Sequence, residues 1–176
     1  MQPKKRRKSM ELYFKEFLLI TQKLNKQQIT PLLLGSLGLS YLTDIDWQPR
    51  DIDIHVPGDP RGWEAPDEDR LHNWQNILKI METLNYHLVD LHEHEFAKDS
   101  YTIQFGSMDS LLTFAGIPLN ELSLIRIDDC SFYLPTAEQY LKIYQRSAKD
   151  SYRADKNNHK DLAKIEYLEK YLDGNT

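Results

Sequence analysis

The segment DIDIHV at residues 51–56 constrains the fold of this chain more than any other feature. Apolar and polar residues alternate strictly along it, which predicts a β-strand with one buried and one polar face. The polar face carries Asp51, Asp53 and His55. Like charges on one strand face reduce stability unless cations or hydrogen-bond donors compensate. The pattern therefore predicts either a solvated strand surface or a functional carboxylate pair.

The segment before this strand predicts a site for phosphate. Residues 30–35, TPLLLG, form an apolar run with a proline at its start, and residues 36–43 read as a short helix. The start of a helix offers unpaired backbone N–H groups, and a glycine there lets an anion approach the backbone closely. We therefore expect Gly35 and Ser36 to form a phosphate-binding turn.

The two aspartates of the next strand have the spacing of a metal site. Residues two apart on a strand have Cα atoms roughly 6 to 7 Å apart and share a face. Mg²⁺ prefers oxygen ligands and is usually held by one or two carboxylates together with substrate phosphates. Asp51 and Asp53 are therefore the predicted ligands of a Mg²⁺ ion.

Together these segments resemble a known signature. Residues 34–36 (Leu-Gly-Ser), a following helix, and residues 51–54 (Asp-Ile-Asp-Ile) on the next strand resemble the pattern of the nucleotidyltransferase superfamily typified by DNA polymerase beta. The similarity is to small bacterial members, namely antibiotic nucleotidyltransferases and AbiEii-type toxins. It spans residues 30–170, and the tight match covers residues 34–54.

This resemblance implies an activity and a set of residues. The activity is Mg²⁺-dependent transfer of a nucleoside monophosphate from a nucleoside triphosphate to an acceptor hydroxyl or amine. Asp51 and Asp53 would be both catalytic residues and metal ligands. Basic residues of the C-terminal helices would face the phosphates. The nucleotide-binding residues implied in this way are Gly35, Ser36, Arg153 and Lys160.

The family pattern also has a third carboxylate on a later strand, and here the chain departs from it. The corresponding position falls at Gln104, which can coordinate through its carbonyl oxygen but cannot act as a base. Asp109 is our predicted substitute, and Asp90 and Glu95 are the other carboxylates nearby in sequence. The departure leaves a second hypothesis open, in which the chain is a catalytically silent relative that binds nucleotide or regulates another protein.

A third hypothesis rests on the segment His92-Glu93-His94-Glu95. If residues 86–96 form one strand, alternation places His92 and His94 on one face, which is a two-ligand spacing for a transition metal. Together with Asp51, Asp53 and His55, these histidines would form the metal site of a metal-dependent hydrolase. That hypothesis requires them on a strand adjacent to Asp53. A plain polar strand surface is the alternative.

The order of predicted elements defines the fold class. The predicted order is helix, strand, helix, strand, helix, then several strands, then two helices. This order predicts an α+β (mixed α/β) fold with a small mixed central sheet. We expect a disordered basic leader at residues 1–9 and a nucleotidyltransferase-like domain at residues 10–134. A C-terminal helical part at residues 135–176 would pack on that domain. A helix is expected at residues 67–84 and strands at residues 86–96 and 100–106.

Composition limits the partners. The 22 basic and 27 acidic residues give a net charge of −5, and without the five basic residues at positions 4–8 the body carries −10. An acidic body argues against a long nucleic-acid partner except through the basic tail. The acceptor stays open between a small molecule, an RNA and a protein. The single cysteine, Cys130, favours a reducing, cytoplasmic compartment, and no apolar run approaches the roughly 20 residues that cross a membrane.

Overall fold

The computed structural model describes the backbone of residues 4–149 and 151–174, and the side chains of residues 9–149 and 161–174. Within the described chain, a seven-stranded sheet has the order β3-β4-β5-β2-β1-β7-β6. Strands β1 to β7 are Leu32–Leu34, Ile52–Val56, His87–Asp90, Glu95–Lys98, Tyr101–Ser107, Ser123–Ile127 and Cys130–Leu134. Helices α1 to α6 are Lys4–Lys26, Gly35–Thr43, Trp74–Thr83, Leu111–Ala115, Ala137–Ala148 and Ser151–Gly174. The predicted α+β class is confirmed.

The register of the central strands brings the predicted motifs together. β1 is antiparallel to β2, with Leu34 opposite Asp53. β2 is parallel to β5, with Asp53 opposite Gln104. Because β1 and β2 run in opposite directions, the end of β1 lies beside the beginning of β2. The glycine turn that follows β1 therefore meets the carboxylate strand.

The two faces of β2 have different surroundings, as the alternation of the sequence predicts. Ile52, Ile54 and Val56 are fully buried in the main core, which also includes apolar residues of α1 and α3. Residues Asp53 and His55, on the opposite face, are only half-buried. A smaller apolar cluster around Leu32 and Leu34 of β1 lies beside them. The polar face of β2 thus borders a packed layer without being covered by apolar side chains.

Three predicted elements have different bounds in the structure. The helix expected from residue 67 begins at Trp74, because the chain before it is a loop joined by the bridge between Gly58 and Leu71. The strand expected at residues 86–96 is two strands, β3 and β4, separated by a turn in which His94 has a positive φ of 49°. Helix α1 begins at Lys4 and so extends into the leader that we expected to be disordered.

The C-terminal helices share the core of the sheet. A capping box fixes the start of α5, in which the Thr136 hydroxyl accepts from the Gln139 N–H and the Gln139 side chain accepts from the Thr136 N–H. Tyr140 and Tyr144 of α5 and Leu168 of α6 are buried in the same apolar cluster as the central strands. These helices therefore help to support the end of β1.

Candidate functional site

The turn between β1 and α2 lies directly against Asp53. Gly35 has a φ of +69°, a conformation that side chains other than glycine rarely adopt. A Cβ atom placed on Gly35 would lie 3.1 Å from the Asp53 Cβ and 3.7 Å from its Oδ2. The glycine thus serves two purposes: it permits the left-handed backbone, and it leaves room for the carboxylate. This contact is the neighbourhood that the sequence predicts for a phosphate turn and a metal ligand.

A buried cation lies at the start of α2. No side-chain hydrogen bond caps this helix at its N-terminus. The Lys164 Nζ donates to the Ser36 Oγ at 2.9 Å, and Lys164 is only 8% exposed. Its ammonium group also lies 5.1 Å from the ring centroid of Tyr144. The partial positive charge of the helix start and the full charge of Lys164 therefore combine at Ser36.

Tyr140 supports the same turn from the side of α5. Its hydroxyl donates to the Gly35 carbonyl at 3.3 Å and occupies the space that a side chain at position 38 would need, which explains Gly38. Burial, followed by the proximity of Tyr144 and Asp53, raises the pKa of Tyr140 well above its ordinary value. The hydroxyl consequently stays protonated and keeps donating to the turn.

Asp53 has a histidine partner on its own strand. The His55 Nε2 lies 3.2 Å from the Asp53 Oδ1, and the two side chains are 22% and 35% exposed. Burial alone lowers the pKa of His55. The charge of Asp53 and its hydrogen bond, together with a backbone hydrogen bond at Ser107, outweigh this effect, so the net shift of the pKa is upward. Asp53 therefore has one oxygen paired with an imidazole, and its Oδ2 is directed toward the glycine turn.

Asp51 immediately precedes β2. Its charge contributes, after burial and Tyr101, to raising the pKa of Tyr13. Among the residues with described side chains, no group of three or more histidine, cysteine or acidic residues could hold a metal ion. Two carboxylates would fit Mg²⁺ only with phosphate oxygens and waters completing its shell, which is how Mg²⁺ is commonly bound beside nucleotides.

Gln104 occupies the place beside Asp53 where the resemblance implies a third carboxylate. It faces Asp53 across the β2–β5 pair, and its Nε2 donates to the Glu95 Oε1 at 2.9 Å. Glu95 in turn pairs with Gln104 from β4. The carboxylate nearest to this position is thus one strand further from Asp53, and an amide separates the two acids.

The structure does not bring Asp109 to the two aspartates. Val56 pairs with Ser107, three residues beyond Gln104, so this end of β5 is roughly 10 Å from the level of Asp53. Asp109 lies beyond it, and its Oδ2 accepts from the Gly58 N–H at 2.9 Å. The residue therefore supports the loop after β2, and the predicted grouping with Asp51 and Asp53 is not formed.

The histidine pair expected on one strand face is also not formed. His92 and His94 lie in the turn between β3 and β4, and β4 is separated from β2 by β5. His94 is fully buried, and its Nδ1 accepts from Arg70 while its Nε2 donates to the Asp67 carbonyl. The geometry that the hydrolase hypothesis requires is therefore absent from these described residues.

Two of the predicted nucleotide ligands cannot be placed. Arg153 and Lys160 belong to α6, but their side chains lie outside the described residues. The cation that the structure does place at the turn, Lys164, was missed by the sequence analysis. The sequence did contain an indication of its burial, because Asp161, Lys164 and Leu168 have helical spacing and lie on one buried face. A lysine at such a position indicates a specific partner.

Two surface concavities of the described residues lie elsewhere. One, of about 320 Å³, is lined mainly by residues of α1 and α3, including Lys23, Lys26 and Lys79. The other, of about 190 Å³, is lined by residues 68 and 71–76. Neither includes Gly35 or Asp53.

The structure thus defines an α+β protein with a glycine turn, a helix start and a carboxylate strand in contact. A comparison with known proteins gives the family. The chain is 40% identical over 164 residues to a Bacillus subtilis (strain 168) protein described as "Uncharacterized protein YnaI", covering 93% of this chain and 99% of that protein. The chain belongs to the same family as YnaI.

Two other comparisons found no match. No protein-family model matches the chain, and no solved structure matches it. Within the described residues, none of the helices has both the length and the apolar character needed to span a membrane.

Proposed function

We propose that this chain is a nucleotidyltransferase-fold protein that binds Mg²⁺ and a nucleoside triphosphate at the turn between β1 and α2. The observation that carries the proposal is the contact between Gly35 and Asp53, because it places a helix N-terminus and a carboxylate against each other. A polyphosphate bridged to the protein by a cation needs both groups at one point.

The phosphate groups have donors on the α2 side. Unpaired N–H groups of the first turn, the Ser36 hydroxyl and the Lys164 ammonium group are the candidate ligands of the β- and γ-phosphates. Lys164 is held in place by burial and by its bond to Ser36. A preorganised cation loses little conformational entropy when it binds phosphate, and this supports the assignment.

Two carboxylates are the proposed metal ligands. Asp51 and Asp53 would hold Mg²⁺, which would neutralise phosphate charge when it is bound. In the proposed reaction an acceptor oxygen or nitrogen attacks the α-phosphorus, and the bond from that phosphorus to the bridging oxygen breaks. Pyrophosphate leaves, and the acceptor loses its proton. The contribution of this chain would be positioning and charge neutralisation.

A second candidate function is nucleotide binding without transfer. Gln104 faces Asp53 in place of an acid, and its amide is engaged by Glu95. An amide cannot take up the proton of the acceptor. In this alternative the chain would recognise nucleotide and regulate a partner.

Calorimetry with each of the four nucleoside triphosphates, with and without Mg²⁺, tests the binding proposal. We expect Asp53→Asn to weaken Mg²⁺-dependent binding by at least about tenfold, or about 1.4 kcal/mol. Asp51→Asn should act in the same direction. Asp109→Asn is the matched control, because it removes a carboxylate that the structure places away from the turn. Equal affinity in Asp51→Asn, Asp53→Asn and the unmodified protein would reject the proposal.

A pyrophosphate-release assay distinguishes a nucleotidyltransferase from a protein that binds nucleotide without transferring it. Protein that binds Mg²⁺ and nucleotide and also releases pyrophosphate in the presence of an acceptor extract supports the transferase. Binding with no release from any acceptor class supports the silent relative. Small molecules, RNA and proteins are the acceptor classes to supply, since the fold alone does not select among them.

The cellular setting is part of the same proposal. A single buried cysteine, Cys130, suits a reducing compartment, and we place the protein in the cytoplasm on that ground. The acidic body favours a compact anionic ligand accompanied by a cation over a long nucleic acid.

A further inference from the structure

Strand β3 forms one edge of the sheet and is open to pairing. All four of its residues, His87–Asp90, are exposed. Leu88 and Val89 are 41% and 55% exposed, and Leu91, directly after the strand, is 36% exposed. An edge strand presents unpaired N–H and C=O groups, and proteins usually protect it with charges, prolines or bulges. Here apolar side chains occupy the centre of the exposed edge.

The opposite edge of the sheet is protected by a charge. β6 carries the exposed Arg126 as the fourth of its five residues, Ser123–Ile127. β3 has charged or ionisable groups only at its two ends, His87 and Asp90. A register shift between Leu88 and Asp90 interrupts its pairing with β4, which restricts a new partner strand to a short contact.

An exposed aromatic residue extends the apolar edge. Trp63 is 59% exposed, and its ring centroid lies 5.0 Å from that of His92, which follows Leu91. The Arg70 guanidinium lies 4.8 Å from the centroid of the same indole and holds it in place. A rigid, exposed tryptophan beside an open strand is typical of the anchor residues of protein interfaces.

The sequence of β3 is complementary to itself. When two copies pair antiparallel about an axis between Leu88 and Val89, each His87 faces Asp90 of the other copy. Each Leu88 then faces Val89 of the other copy. Opposite-charge and apolar cross-strand pairs are the ones that stabilise antiparallel sheets, and a two-fold interface of this kind closes on itself. The Asp90 Oδ1 accepts from the Glu93 N–H at 3.2 Å, which leaves the Oδ2 for this contact.

We propose that β3 is the interface of a homodimer, in which two copies of this chain join their sheets edge to edge. Four paired residues and one flanking tryptophan form a small interface, so the dimer is concentration-dependent instead of permanent. β4 and β5 separate β3 from β2. The dimer therefore does not depend on the proposed nucleotide site, and either proposal can fail alone.

Sedimentation velocity on the full chain over a range of concentrations tests the proposal. We expect a monomer–dimer equilibrium whose dissociation constant rises at least about tenfold in Val89→Lys, because a lysine at the centre of the edge opposes pairing. Leu124→Lys is the matched control, since Leu124 is 44% exposed on the other edge. A monomer at every concentration, or a dimer that survives Val89→Lys, overturns the proposal.

Charge substitution tests the complementarity itself. His87→Glu places a carboxylate opposite Asp90 of the other copy and should weaken the dimer. His87→Lys places a positive charge opposite Asp90 of the other copy and should strengthen the dimer. Equal dimerisation of the two variants contradicts the proposed register.

Cysteine cross-linking tests the register directly. Directly opposed strand residues have Cα atoms about 4.5 to 5.5 Å apart, which suits a disulfide. A mixture of Leu88→Cys and Val89→Cys proteins should oxidise to a cross-linked dimer several-fold faster than either variant alone. Cys130 is buried and does not compete. Equal rates in mixed and unmixed samples would overturn this arrangement.

Discussion

Two polar clusters of this protein use charge in opposite ways. The turn cluster, formed by Gly35, Ser36, Asp53, His55 and Lys164, leaves its carboxylate 35% exposed at the start of a helix. The Arg70 cluster is formed by Asp67, Arg70, His92 and His94. In it a guanidinium that is 4% exposed donates to a carboxylate, a carbonyl and an imidazole of the protein itself. The first arrangement has capacity for a ligand, and the second joins a loop to a turn.

The histidines of the two clusters show the difference most directly. Burial and the charge of Arg70 lower the pKa of His94, so this imidazole is held neutral as an acceptor. Asp53 raises the pKa of His55 against the effect of burial. The two carboxylates are similarly exposed, 35% for Asp53 and 37% for Asp67, so exposure does not explain the difference. A guanidinium beside the imidazole opposes its charged form, whereas a carboxylate beside it favours that form. The comparison teaches that the group in contact with a histidine decides the direction of its pKa shift.

The largest expected effect concerns the Arg70 cluster. Arg70→Met removes the donor to His94 and to the His92 carbonyl, and we expect a loss of about 3 kcal/mol in the free energy of unfolding. Urea denaturation measures it. Binding at the turn cluster should be unchanged in the folded variant. A loss below about 1 kcal/mol would show that the Arg70 cluster is less closed than its contacts indicate.

A smaller effect is expected at the glycine of the turn cluster. Gly35→Ala forces a side chain into a positive φ and against Asp53, so we expect a loss of about 2 kcal/mol together with weaker Mg²⁺-dependent nucleotide binding. Gly116→Ala is the matched control, because Gly116 has a φ of +70° and its Cβ would meet nothing within 4 Å. Thermal unfolding and calorimetry of both variants separate backbone strain from crowding at Asp53. Identical changes in the two variants would contradict the proposed contact.

The smallest effects are those of pH, and they should have opposite signs in the two clusters. Because the folded-state pKa of His94 is below its ordinary value of 6.5, its contribution to stability is present above pH 6.5 and is lost as the pH falls. Because the pKa of His55 is raised above the same ordinary value, its contribution is present below pH 6.5 and is lost as the pH rises through the folded-state pKa.

Two substitutions isolate the contributions of His94 and His55 to the pH dependence of stability. His94→Asn should reduce the loss of unfolding free energy on the acid side, and asparagine tolerates the positive φ of this position. His55→Asn should reduce the loss on the alkaline side. Urea denaturation at several pH values on both sides of 6.5 measures both slopes. If the two variants change the same side of the profile, the contrast between the clusters is wrong.

The sequence was informative where the signal is local. The strict alternation of residues 51–56 predicts a strand with one buried face, and the apolar run ending in Gly35 predicts a strand, a turn and a helix. Antiparallel pairing of adjacent segments then places them in contact. Gln104 was identified from the position that the resemblance implies for a third carboxylate, and the structure places it opposite Asp53.

The remainder of the site depends on contacts that have no local signal. Lys164 reaches Ser36 across 128 residues of chain, and its distance in sequence from the turn concealed the pairing. The prediction that His92 and His94 share one strand face was wrong, because it extended the two-residue alternation of a strand through a turn. A left-handed residue at position 94 ends the alternation there, and Arg70 on a separate loop completes the contacts.

The phenol of Tyr140 lies where Gly38 has no side chain, and it donates to the carbonyl of Gly35. One ring therefore connects the last quarter of the chain to the first turn after β1. Truncation of the chain before α5 would leave a phenol-sized void beside Gly35 and Gly38, so the turn would lose this support. A change that moves α5 is therefore expected to disturb the turn at the end of β1 as well.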